Sequence, residues 1–293
     1  MKKWVLRIIL VIIATILLVG TLSACGDEWA GYVEVDNLEE LFAAIKDENV
    51  GKIKVNSGVY GEQSNYENLI ITRPLTLKGA GEKQPVFFGS IVVNLAAGEL
   101  RGVVIDNIEI SHSGEYVTKE VDGNQKVDLS KDGRRGILVN NGSVTIKNNN
   151  IHLTNQNPET KLAHPSSAIQ LSVLKDAPNQ DKLSYSISNN TFGRYSRSQH
   201  SSSSGAVAIL ADIDEGQALN FTLEQINAVY EDNNFVDGTE GYEAMYDYTK
   251  NKYVAGVFSS IEAAEYFLQS DYSSLDEGLK VEKIGNVYKI VKK

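Results

Sequence analysis

The sequence predicts an all-β fold in which short strands stack as repeats, and three observations predict it. An asparagine-bearing turn recurs at a spacing of roughly forty residues, in "VVIDNIEI" (103–110), "VTIKNNNIHL" (144–153), "YSISNNTFGR" (185–194) and "VYEDNNFVD" (229–237). Short apolar runs lead the units: "GILVN" (136–140), "AIQLSV" (168–173), "AVAIL" (206–210) and "VAGVF" (254–258). Ahead of them the chain already reads as short strands, "KIKVNSGVY", "NLIITRPLTLKGAG" and "PVFFGSIVV". With 42% apolar and 23% charged residues in 293, there is enough material for a sizeable core.

The first element is a leader. Lys2, Lys3 and Arg7 precede an apolar run from Ile8 to Val19, which has the length and flanks of a secretory signal peptide over residues 1–24. It closes on "LSAC" (22–25), and Cys25 is the only cysteine. "LSAC" followed by Gly26 resembles the lipobox of bacterial lipoproteins. The resemblance implies that Cys25 is thioether-linked to diacylglycerol, carries palmitate-like chains and begins the mature protein. Two or more acyl chains make a stable anchor where one is marginal. The expected location is the outer face of the bacterial cytoplasmic membrane or the cell envelope. No second cysteine exists for a disulfide, so packing alone must hold the fold. Losing the leader removes three of the 28 Lys and Arg and none of the 38 Asp and Glu, leaving −13. That charge argues against nucleic acid as a partner. A polyanionic glycan would need a local basic patch or bridging calcium.

Residues 25–31 form a short tether, reaching at most roughly 20–25 Å to the strand-like "YVEV" (32–35). In "DNLEELFAAIKDE", Leu38, Leu41, Phe42 and Ile45 fall at i, i+3, i+4 and i+7, and Asn37 with Glu40 makes a capping pair. An amphipathic helix is predicted there.

A helix, then "IKVNSGVYGE", then "LIITRPLTLKGAG" resembles the opening of right-handed parallel β-helix proteins of the pectate-lyase-like superfamily. The resemblance covers roughly residues 33–93, and the asparagine repeat extends it to about 258. It implies a single-stranded right-handed parallel β-helix over 32–258, with an N-terminal capping helix. The C-terminal cap is expected over 259–293. "SSIEAAEYFLQS" reads as a helix with a Ser259/Glu262 capping box, and "LKVEKIGNVYKIVKK" as a hairpin around Gly-Asn. Both ends would cover strand edges that otherwise invite aggregation.

Three strands per coil would set the asparagines one above another. Aligned on Ile108, Ile151, Phe192 and Phe235, the units place Asn107, Asn150 and Asn234 directly before the apolar residue, with Thr191 in the remaining unit. Asn107, Asn150, Asn190 and Asn234 are the expected ladder, an αL bend whose amides bond to the next coil.

Segments 111–135, 154–167, 193–205 and 236–252 all separate a third strand from the next first strand. Loops at one position of stacked units gather on one face, so a groove along the first-strand sheet is expected. Arg194, Arg197, Tyr116, Tyr195 and Gln170 are its candidate ligand-binding residues, suited to stacking on sugar rings and bonding their hydroxyls or carboxylates. Glycan hydrolases use paired carboxylates, and lyases an Arg or Lys base with acid-bound calcium. The outward row Leu138, Asn140, Gln170, Ser172, Ala208 and Leu210 holds neither. There is no Asp-Asp dipeptide, and the W-x-D-H and R-x-P-x-x-R runs of pectate lyases are missing. A loop-borne site could use Arg134, Arg135, His112 and Asp132, and Asp212, Asp214 and Glu215 are candidate calcium ligands. The expectation is an envelope lipoprotein that binds a polysaccharide or another surface component. A polysaccharide lyase or glycoside hydrolase, and a protein-interaction scaffold, are the alternatives.

Overall fold

In the computed structural model the described residues are 28–155, 166–172, 178–179, 182–193, 195, 207–211, 233–236, 240–244, 256–258, 261, 265, 279–284 and 287–293. The leader, Cys25 and the candidates Arg194, Arg197, Asp212, Asp214 and Glu215 lie outside them.

The fold is all-β, dominated by long parallel sheets. With strands numbered in chain order, the first sheet is β1 (Val33–Val35), β2 (Lys52–Val55), β5 (Thr76–Gly79), β8 (Val103–Asp106), β13 (Val144–Lys147) and β16 (Tyr185–Ser188). The second is β3 (Val59–Tyr60), β6 (Val86–Phe88), β9 (Glu109–His112), β14 (Asn150–Leu153), β17 (Thr191–Phe192) and β19 (Asn234–Phe235). The third runs β4 (Leu69–Ile71), β7 (Ile91–Asn94), β12 (Arg135–Asn141), β15 (Ser167–Leu171), β18 (Val207–Ala211) and β20 (Glu240–Ala244). From β2 to β18 the described strands visit the three sheets in rotation, interrupted among them only by the separate hairpin of β10 (Thr118–Val121) and β11 (Asn124–Val127).

Alternation sets the core. Ile53, Leu77, Ile105, Ile146 and Ile187 pair in one column of the first sheet. Tyr60, Phe87, Ile110, Ile151, Phe192 and Phe235 form the column of the second. Leu69, Ile91, Ile137 and Ile169 form that of the third. All but the partly buried Phe235 are buried, each contributing about 1.5–3 kcal/mol by leaving water. The repeat is not uniform: Ile53 to Leu77 is 24 residues and Leu77 to Ile105 is 28, against 41 from Ile105 to Ile146. The forty-residue spacing therefore begins only with the insertions.

The predicted N-terminal helix, α1, spans Leu38–Lys46. Asn37 Oδ1 accepts from Glu40 N at 3.0 Å, and Glu40 Oε2 accepts from Asp36 N at 2.9 Å. Leu41, Ala44 and Ile45 are buried. The far end uses a residue the sequence did not mark. Arg73 donates to the carbonyls of Ala44, Ile45, Asp47 and Val50, satisfying oxygens a helix end leaves open. Asn37→Ala should cost about 1 kcal/mol, read as a shift in urea midpoint.

The asparagine run 148–150 divides its labour. Asn107, Asn148 and Asn189 take φ of 58°, 56° and 54°, so these make the left-handed bend. The next position is the ladder. Asn149 Oδ1 accepts from Ile108 N, its Nδ2 donates to Ile105 O, and Asn190 and Asn233 repeat this pattern in the following coils. Asn149 also donates to Asn190 Oδ1, and Asn190 to Asn233 Oδ1, both at 3.0 Å. The expected ladder is corrected accordingly. Asn190 is in it, Asn107 is a bend residue, and Asn150 and Asn234 open β14 and β19. The register explains the slip, because Ile151 pairs with Ile110 and not with Ile108.

At the C-terminal end the parallel stacking stops at β20. "VAGVF" is not a further first strand: β21 (Gly256–Phe258) pairs antiparallel with β20. It continues into the antiparallel hairpin of β22 (Leu279–Ile284) and β23 (Val287–Lys292). Of the stretch 259–270 only Ile261 and Glu265 are described, and both are helical.

Candidate functional site

The insertion between β9 and β12 is built from its own turn chemistry. Asp122 and Gly123, with φ of 53° and 75°, make the two-residue turn of the β10–β11 hairpin. Asp128 N bonds Val117 O at 2.9 Å and closes its base. Hydrogen bonds from Ser130, with the Lys119 ammonium at 3.1 Å, hold the Asp128 carboxyl below its usual range.

Two residues ahead of β4, Asn68 and Tyr66, fasten this insertion to the body. Asn68 is 2% exposed and begins the run into β4. Its Nδ2 donates to Leu129 O and Asp132 O, both at 2.9 Å, and its Oδ1 accepts from Ser90 N. Ser113 Oγ also donates to Tyr66 Oη at 2.7 Å, and Lys131 Nζ to Tyr66 O at 3.0 Å. An asparagine just ahead of an apolar strand was the available signal for Asn68. Asn68→Ala takes the donor from two loop carbonyls and the acceptor from Ser90 N, so cleavage within 113–131 by added protease should accelerate, with a loss of about 1–3 kcal/mol in unfolding free energy.

His112 is corrected from groove residue to core residue. It ends β9 with no exposed surface. Its Nδ1 lies 2.7 Å from Gly133 O, which only an N–H can satisfy. Its Nε2 therefore accepts from Tyr195 Oη at 2.5 Å. Burial drives the imidazole down to about 3 and raises the Tyr195 phenol well above its ordinary value. Tyr195 is likewise fully buried, so it cannot stack on a ligand as expected from the sequence. Gly136 completes the packing: a Cβ there would sit 2.5 Å from Ile151 Cγ2 and 2.8 Å from Ala168 O.

The remaining candidates form two short chains of contacts. Asp132, 6% exposed, takes Arg134 in a two-point ion pair, Nε to Oδ1 at 2.9 Å and Nη2 to Oδ2 at 3.1 Å. The same guanidinium lies 4.1 Å from the ring centroid of Tyr116, which is 39% exposed. Arg135 Nε donates to Gln170 Oε1, and Gln170 Nε2 donates to Ser172 Oγ at 3.2 Å. On the same outward side of the third sheet, Asn140 Nδ2 donates to Asn94 Oδ1 at 2.9 Å. The structure thus gathers Asp132, Arg134 and Tyr116 in one group and Arg135 with Gln170 in another. His112 lies beneath, in the core.

His112 has both ring nitrogens engaged out of solvent, and the Asp132 carboxylate is committed to Arg134. What stays accessible is a half-exposed aromatic ring, guanidinium edges and side-chain amides, which suit hydroxyl or carboxylate recognition. Among the described residues no three of His, Cys, Asp and Glu gather as a metal site. No protein family, curated protein or solved structure was found to match the chain.

Proposed function

We propose that this chain is a bacterial envelope lipoprotein, held by lipid on Cys25, whose body binds a polysaccharide or another surface component on the outward side of the third sheet. The body is a right-handed parallel β-helix in this reading. The rotation of the chain through three parallel sheets supports it, and parallel crossovers are right-handed in the great majority of proteins. The observation that carries the binding site is the meeting at His112. Gly133 from the insertion 111–135 and Tyr195 from the insertion 193–205 both bond its ring, which supports a convergence of insertions beside the third sheet.

Three experiments test the reading. Cys25→Ser should accumulate as an unprocessed precursor, and processing at the same site with unchanged fractionation would refute the anchor. The protein should also be retarded by one member of a panel of plant, algal and cell-wall polysaccharides without turning it over. New reducing ends or unsaturated products would establish an enzyme instead. Arg134→Ala with Tyr116→Ala should weaken retention on an acidic polysaccharide at least several-fold and flatten its salt dependence, because the partly exposed Arg134 charge is within reach of screening by salt. Equal retention would remove that pair from the site.

A further inference from the structure

A cavity of about 460 Å³ opens between the C-terminal end of α1 and the turn that follows β4. Ile45, Lys46 and Glu48 line it from one side, and Ile70, Thr72 and Arg73 from the other. Its volume falls within the range of about 300–1,000 Å³ usual for small-molecule sites. The cavity shares no lining residue with the groups around Tyr116 and Gln170. Nor is it the open end of their face. Ile70 pairs with Val92 and Val92 with Leu138 in the outward row of the third sheet, yet Val92 is buried, so the row is covered between them.

Local chemistry makes both walls stiff. Arg73 precedes Pro74, which confines it to extended backbone. Its guanidinium crosses to the carbonyls of Ala44, Ile45, Asp47 and Val50, so the turn after β4 is tied to the end of α1. Asp47 Oδ1 accepts from Asn49 N at 2.9 Å and from Asn49 Nδ2 at 3.0 Å, which fixes the turn that carries Glu48.

The floor is apolar and the rim is charged. Ile45 is buried and Ile70 partly so, whereas Lys46, Glu48 and Thr72 are exposed. The Arg73 charge is committed to the four carbonyls. The Lys46 ammonium lies 5.9 Å from the centroid of the Phe42 ring, at the outer limit of a cation–π contact. Among the described residues, the Lys46 ammonium, the Glu48 carboxylate and the Thr72 hydroxyl have no hydrogen-bond or ion-pair partner.

We infer that this cavity binds a small zwitterion, an α-amino acid with an apolar side chain. The ligand's carboxylate takes Lys46 and the Thr72 hydroxyl, its ammonium takes Glu48, and its side chain rests on Ile45 and Ile70. A simple anion would be repelled by Glu48 and a simple cation by Lys46, whereas a zwitterion offers each its opposite. This ligand is independent of the anchor and of the glycan proposed above.

The test is a calorimetric titration of the full purified chain at neutral pH with leucine, leucine amide, N-acetylleucine, glycine and methyl glucoside. Leucine should bind. Leucine amide lacks the carboxylate, N-acetylleucine lacks the ammonium and glycine lacks the apolar group, so each should bind several-fold more weakly. Lys46→Ala should abolish the preference for leucine over its amide and keep the preference over N-acetylleucine. Glu48→Gln should do the reverse. Both positions are exposed, so the urea midpoints of the variants should match that of the parent. No measurable binding of leucine overturns the inference. So does equal binding of leucine, its amide and N-acetylleucine, or preferences that survive unchanged in both variants. Methyl glucoside bound as tightly as leucine, and lost in both variants, would assign the cavity to a neutral sugar and overturn the zwitterion.

Discussion

Asn190→Ala is expected to lower the free energy of unfolding by about 3–5 kcal/mol, the largest effect of any side-chain amide among the described residues. Asn190 has no exposed surface. Its Oδ1 serves both Asn149 N and Asn149 Nδ2 at 3.0 Å, and its Nδ2 serves Ile146 O and Asn233 Oδ1. Truncation strips Asn149 N and Ile146 O of the bonds that Asn190 gives them, while Asn149 Nδ2 keeps only Ile105 O and Asn233 Oδ1 keeps only Asn190 N. Each group so stranded costs about 1–3 kcal/mol. The comparison that isolates the cause is Asn150→Ala, one place past the Asn149 rung. Asn150 is only partly buried, and the change there should stay within about 1 kcal/mol. Urea midpoints for the two variants decide it. Equal losses would mean that the ladder hydrogen bonds do not carry the difference.

The second large effect is a loss of stability in mild acid, centred on His112. Burial holds its imidazole at about 3 in the folded chain, against an ordinary 6.5. Above pH 6.5 both folded and unfolded states leave the ring neutral, and the contribution to stability is complete. Between 6.5 and 3 the unfolded chain binds a proton that the folded chain refuses. Stability therefore falls as pH falls, by about 1.4 kcal/mol per unit, or about 2 kcal/mol at pH 5. Arg135 and His152 add in the same direction, since their charge opposes a second cation nearby. His112→Gln should be less stable at pH 7.5, because Gly133 O and Tyr195 Oη lose their partner geometry. Its urea midpoint should nevertheless change less between pH 6.5 and 5 than that of the parent. Parallel pH profiles for parent and variant would exclude the buried histidine as the source.

The local devices were legible in the sequence because each depends on residues a few places apart. The α1 cap is an Asn and a Glu three residues on, and the apolar alternation of the strands is a property of neighbouring positions. The αL bends need a residue that tolerates φ near +57°, and an Asn stands at each of the three repeat bends, 107, 148 and 189.

Tertiary pairing decided the rest. "NNN" offers three chemically identical side chains, and only the match of Ile151 to Ile110 and Phe192 selects Asn149 for the ladder. A shift of one residue reverses which side of the strand a residue faces, so no local pattern could make that choice. His112 shows the same limit at the site. A histidine beside two serines at the start of a polar insertion reads as surface. It is buried because Gly133 and Tyr195 arrive from 21 and 83 residues away to satisfy both ring nitrogens. Without those partners a buried imidazole is unfavourable, and with them it becomes a fixed point of the fold.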